Sequence, residues 1–190
     1  IDLEHSTMDL DTAGQICAAA LPTKATAIVR VPEGDINRAA RILDAGAQGV
    51  IFPHVQNANE AQKFVKACRF PPKGNRSLTY GGPQLRYQNL PPSEVMQGLN
   101  NETLVVMMIE TPEAVERAPE ISEVEGVDVL MVGGSDLSAT MGIAGQFQNS
   151  EFIEAVGKVV DAAKASSKWA GLGGIYDEAI LPQFAERGIR

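Results

Sequence analysis

Two carboxylates carry the clearest chemical signal in this sequence. Glu110 follows the six apolar residues LVVMMI and precedes Thr111-Pro112-Glu113, while Asp136 follows VDVLMV and the small residues Gly133-Gly134-Ser135. A carboxylate at such a junction is either an anion favoured by the positive end of the next helix or a ligand at the mouth of a binding site. For Asp136 a cap is the competing reading, since Ser135 and Asp136 can close the start of a helix beginning DLSAT. Taken together, hard oxygen donors with few nitrogen or sulphur ligands nearby suit Mg2+ or Mn2+, with Co2+ a further candidate, better than a structural zinc. The amides around Ser135 and Asp136 are also placed to receive a substrate carboxylate, as helix N-termini do.

Arg30 ends the run ATAIVRV ahead of Pro32, a permanent charge in an apolar segment. Burial without an anion would be expensive, so Arg30 is either a salt-bridge partner or a clamp for a carboxylate or enolate oxygen. His5 is one of two histidines and has a side chain able to act as acid or base near neutral pH. Asp2 can orient it only if the chain turns after Glu4, because positions three apart on an unbroken strand face opposite sides. Asp44 stands in the last turn of its helix, where the dipole disfavours negative charge. His54, in FPHVQN, reads as a loop or packing residue.

These residues need a scaffold that delivers them to one end of a sheet. Short β-branched runs alternate with helical periodicity, the pattern of parallel strands joined by crossover helices. The pattern predicts strands over residues 1–4, 25–31, 49–52, 104–109, 127–132 and 170–173. Helices are predicted over 10–20, 36–45, 59–69, 113–124, 151–166 and 178–187. The strands are nearly continuous apolar runs, as expected when both faces of a parallel sheet are covered. One long irregular stretch, Phe70 to Pro92, is rich in Pro, Gly, Tyr and Arg, and loops of that length in a compact domain are commonly functional. The pattern favours a closed barrel or a doubly wound sheet over an antiparallel sandwich; read as a barrel, which needs eight strands where six are counted, it is a (β/α)8 TIM barrel truncated at both ends in this chain, a single partial barrel domain over 1–190.

Composition narrows the function classes. With 190 residues, 44% of them apolar, and a formal charge of −8, the chain reads as a soluble domain whose acidity disfavours nucleic acid and anionic membrane. No apolar run reaches the length of a membrane span, and the N-terminus lacks a secretory signal, so a cytoplasmic location is expected. Cys17 and Cys68 lie in helical contexts without CxxC spacing and read as reduced, structural thiols. The glycines of AGLGGIYD fail the dinucleotide fingerprint, since Tyr176 stands where its third glycine belongs, and no phosphate loop is present.

The ordered segments DLEH, IVRVP, ILDAGAQGVIFPHVQNANEA, RFPPKGNRS, MIETPEAV and GVDVLMVGGSDLSATMG resemble the HpcH/HpaI aldolases of the pyruvate/phosphoenolpyruvate barrel superfamily. The resemblance implies a metal-dependent class II aldolase that cleaves a 4-hydroxy-2-oxo acid through a pyruvate enolate. Glu110 and Asp136 match the metal ligands and Arg30 the residue stabilising enolate charge. His5 with Asp2 behind it matches an acid/base dyad working through water, and Asp44 a further acidic position. Oxaloacetate decarboxylation, as in the divergent fungal relative macrophomate synthase, or a malyl- or citramalyl-CoA-type lyase are the alternatives. Since such an enolate can meet different electrophiles, the resemblance makes Tyr80, Arg86 and Tyr87 candidates for contacts to a second reactant, against the alternative of a solvated loop face. The resemblance also implies a homo-oligomer, often a hexamer. Met108 stands where bacterial members usually carry Gln, Gly134 where they carry Pro, and RSLTYGGPQLRYQ departs from their small-residue pattern.

Overall fold

The computed structural model describes residues 1–79 and 81–190, which form five strands and nine α-helices among the described residues. In chain order these are α1 (Leu10–Ala20), β1 (Ile28–Arg30), α2 (Ile36–Asp44), β2 (Gly49–Phe52), α3 (Ala58–Cys68), a 3-10 turn (Pro83–Leu85) and α4 (Pro92–Glu102). They continue as β3 (Leu104–Ile109), α5 (Pro112–Glu116), α6 (Ala118–Ser122), β4 (Val129–Gly133), α7 (Gly134–Thr140), α8 (Ser150–Ala165), β5 (Trp169–Gly173) and α9 (Leu181–Arg187). The chain divides into two compact units, one of residues 1–52 and 63–105, the other of residues 53–62 and 106–190.

In the first unit β1 and β2 pair in parallel, Ile28 opposite Gly49 and Arg30 opposite Ile51, and Leu104 at the start of β3 donates to the Gln48 carbonyl. The predicted first strand shrinks to a single bridge of Asp2 to Arg30, because the chain bends over residues 3–6. Sequence-local caps fix the helices. The Asp9 carboxylate accepts from the Thr12 amide at 2.8 Å and that of Asp35 from the Arg38 amide at 2.8 Å, each satisfying a donor that the first turn leaves open. Gly46, at φ +116°, follows the C-cap Ala45 and closes α2 with a left-handed residue. Val29, Ile42, Val50 and Phe52 are fully enclosed, and Phe52 stacks on Phe64 with ring centroids 4.4 Å apart.

In the second unit β3, β4 and β5 are parallel, with Val106 opposite Val129 and Leu130 opposite Ala170. Leu130, Val132, Phe152, Val156 and Phe184 are buried, and Phe152 meets Phe184 edge to face at 6.2 Å. The helix predicted over 113–124 is two helices. Pro119 lacks the N–H that would bond back to Val115 and its ring crowds that carbonyl, so α5 stops at Glu116 and α6 starts afresh.

The periodicity gave no helix for residues 92–102, where α4 stands. Its apolar stripe is short; Val95 is buried, but the other anchor is the buried amide Asn100. Asn100 accepts from the Phe70 N–H at 2.7 Å and donates to the Phe70 carbonyl at 3.1 Å, a polar lock that hydrophobic patterning does not register. Among the described residues no helix is long and apolar enough to cross a membrane.

Candidate active site

Glu110 is the first residue after β3 and is 2% exposed, an ionisable group held where water scarcely reaches. Its carboxylate is gripped within the second unit. Oε2 accepts from the His54 backbone N–H at 2.8 Å, and His54 Nδ1 stands 3.3 Å from the same oxygen. On the other side the carboxylate lies on Gly133, where any Cβ would overlap Oε1, Cγ and Cδ of Glu110. The glycine is therefore required by the close approach of the carboxylate.

Asp136 lies in the first turn of α7 and is partly buried. The structure corrects the capping expectation for this segment: the N-cap is Gly133, and no side chain closes the helix start. Ser135 is exposed and its Oγ donates instead to the Gly174 carbonyl at 3.3 Å. At the far end of α7, Thr140 Oγ1 lies 3.1 Å from the Glu110 carbonyl and 2.9 and 3.0 Å from the Asp136 and Leu137 carbonyls, so its one proton is shared between the helix bearing one carboxylate and the backbone of the other. Among the described residues no group of three or more His, Cys, Asp and Glu is placed to hold an ion. A donor set of two carboxylates completed by water and substrate oxygens is how Mg2+ is ordinarily bound, so Glu110 and Asp136 fit a hard dication in chemistry.

In the first unit Asp2, Glu4, His5 and Arg30 form one cluster. Arg30 binds Asp2 through two bonds, Nε to Oδ1 at 2.9 Å and Nη2 to Oδ2 at 2.6 Å, and its Nη1 lies 3.1 Å from Glu4 Oε2. The guanidinium beside Asp2 lowers that carboxyl from the usual 3.8 to about 2, helped by the Glu4 and His5 amides and opposed by burial. The chain bends over residues 3–6, but what reaches Asp2 is the backbone of His5 and not its ring. The turn brings the backbone N–H of His5 to Asp2 Oδ1 at 3.4 Å, while the imidazole is largely exposed, its Nε2 3.7 Å from Glu4 Oε2. Asp44 is ion-paired with Arg76 at 2.7 Å, and Arg76 in turn lies over the Phe70 ring, 4.6 Å from its centroid. That cation offsets the unfavourable position of Asp44 at the negative end of α2.

Three residues of these clusters escaped the sequence reading as site residues: Glu4, Arg76 and His54. Glu4 sits in the same short motif as Asp2 and His5, and its alternation with Asp2 was the available signal. Arg76 is separated from Asp44 by 32 positions, and nothing local links them. Of the loop residues proposed for a second reactant, Arg86 and Tyr87 adopt left-handed backbone, Tyr87 is well exposed, and Tyr80 lies outside the described residues.

The model of HpcH/HpaI aldolase/citrate lyase matches residues 1–179. The chain belongs to this family. It is 41% identical over its whole length to a 4-hydroxy-4-methyl-2-oxoglutarate aldolase of Hapsidospora irregularis, of which it covers 71%. The crystal structure of an HpcH/HpaI aldolase from Desulfitobacterium hafniense DCB-2 superposes with a TM-score of 0.93 at 30% identity, covering 99% of this chain and 72% of that one. Macrophomate synthase superposes at 0.84 with 27% identity, over 100% and 67% of the two chains. The parallel βα units of this HpcH/HpaI chain are those of a TIM-barrel-type fold.

Proposed function

We propose that this protein is a divalent-metal-dependent lyase that cleaves a 4-hydroxy-2-oxo acid between C3 and C4 to give pyruvate and a carbonyl compound. The observation that carries the reading is the Glu110 carboxylate, buried at the end of a barrel strand, seated on a glycine and joined through its backbone to the helix bearing Asp136. Family membership, and the aldolase name of a relative 41% identical, support the reaction class.

On this reading Glu110 and Asp136 hold Mg2+ or Mn2+, which when bound would supply the positive charge that lowers the cost of an enolate oxygen. The residues of the chain do the rest. A base, assigned to His5 through water, takes the proton from the C4 hydroxyl; the C3–C4 bond breaks and its electron pair passes to the C2 carbonyl. Arg30 is a permanent cation whose charge favours the enolate, and its orientation is fixed in advance by Asp2 and Glu4. Return of a proton to C3 completes pyruvate. The α7 turn, with exposed Ser135, is the proposed place for the substrate carboxylate.

The test is proton exchange at the pyruvate methyl group in D2O with Mg2+, Mn2+ or Co2+, comparing the parent with Glu110→Ala and Asp136→Ala. Exchange in the parent and its loss in both variants is expected. A parent inactive with all three metals overturns the reading.

A further inference from the structure

His54 sits just past the end of β2 in a backbone conformation that costs energy, φ +54° at a non-glycine residue. The segment around it is bonded to the end of β3. Val55 donates its N–H to the Met108 carbonyl at 3.1 Å, Thr111 Oγ1 donates to Gln56 Oε1 at 3.1 Å, and Gln56 Nε2 donates to the His54 carbonyl at 3.0 Å. These bonds hold the strained turn, which brings the N–H of His54 into a hydrogen bond with Glu110 Oε2 and sets Nδ1 3.3 Å from the same oxygen. With Gly133 receiving the opposite side of the carboxylate, Glu110 has little freedom to rotate.

We propose that His54 is a positioning residue which orients Glu110 for cation binding through its imidazole as well as its backbone, and so strengthens the affinity of the site for a divalent metal. The proposal rests on the reading that Glu110 holds the cation. The physical basis is preorganisation. A carboxylate already locked in one rotamer loses less freedom when it takes up an ion, and a donor on one of its oxygens fixes which lone pairs remain for the metal. Nδ1, the ring nitrogen 3.3 Å from Oε2, is the atom through which the imidazole acts on the carboxylate.

Mn2+ titration of the substrate-free protein, followed by the free-ion electron paramagnetic resonance signal, reads affinity without reference to turnover. Two variants separate the imidazole from the turn. His54→Gly removes the ring, keeps the N–H donor and suits the left-handed backbone. His54→Asn also accepts that backbone and places an amide nitrogen close to where Nδ1 stood. The expected result is a Kd for Mn2+ raised about 10-fold or more in His54→Gly, in the range by which such supporting groups act, and largely restored in His54→Asn. Affinity in His54→Gly equal to that of the parent would overturn the proposal while leaving the metal site standing. Equal losses in both variants would overturn the role given to Nδ1. A parent whose Mn2+ binding is absent, or unaffected by Glu110→Ala, would overturn the underlying metal reading as well.

Discussion

At the scale of single residues, charge in this protein is settled by near neighbours, and the consequences can be read in pH and volume. Asp2 has its carboxyl lowered to about 2, chiefly by the bond from Arg30. A carboxyl whose pKa is depressed on folding stabilises the native state at pH values above its ordinary 3.8, and that contribution disappears as pH falls toward 2. Asp2→Asn should therefore flatten the part of the stability–pH curve between those values, as measured by urea unfolding; an unchanged slope would show that Asp2 is not so paired. Gly133 gives a second expectation at this scale. Because a Cβ there overlaps the Glu110 carboxylate, Gly133→Ala must push Glu110 out of place, at a cost of roughly 1–3 kcal/mol of overpacking. A thermal melt would show the loss, and Mn2+ affinity should fall with it. Full retention of both would mean that Glu110 has room the geometry denies it.

Elements explain why some residues were legible beforehand and others were not. Glu110 stands out because it directly follows an uninterrupted apolar run, and Asp136 because it follows another after three small residues, so strand and strand end are written in one stretch of sequence. His54 also follows a strand, but its relation to Glu110 depends on a left-handed turn bonded to residues 56 positions away, for which no local pattern exists. Helix α4 was missed for a related reason, since one of its two buried anchors is an amide rather than an apolar side chain. The long stretch after α3 behaves the same way: Arg76 and Gln84 reach back to Asp44 and the Leu43 carbonyl at the end of α2. The Arg76–Asp44 pair is lopsided, its side chains 3% and 37% exposed. Removing Asp44 strands a buried cation, so Asp44→Ala should cost about 3 kcal/mol. Arg76→Met leaves a carboxylate that water can reach and keeps an apolar chain over Phe70, so it should cost about 1 kcal/mol. Chemical denaturation of the two variants decides the matter, and the reverse order of losses would contradict the assigned burial.

At the scale of the whole molecule, the alternation of apolar runs with helical periodicity identified a parallel α/β chain, because the burial of both faces of a strand leaves its mark on every strand alike; the barrel type rested on the resemblance of its ordered segments to a barrel family. The first predicted strand and the unbroken helix after Glu110 failed where a turn or a proline changed the local geometry. The proposed cation site makes a prediction about the protein as a thermodynamic unit. A ligand that binds only the folded state stabilises it by RT ln(1 + [L]/Kd), which is about 2.7 kcal/mol at a concentration 100 times Kd. Glu110 and Asp136 lie on successive βα junctions of the second unit, so their relative placement is set only by folding. The unfolded chain therefore offers no comparable site. For a protein of this size the stabilisation corresponds to a rise in Tm of about 5–10 °C. Melts of the chelator-treated protein with and without saturating Mn2+ should show that rise, and Asp136→Ala should lose it even if its own Tm is ordinary. An equal rise in the variant would assign the stabilisation to ions bound elsewhere on this acidic surface.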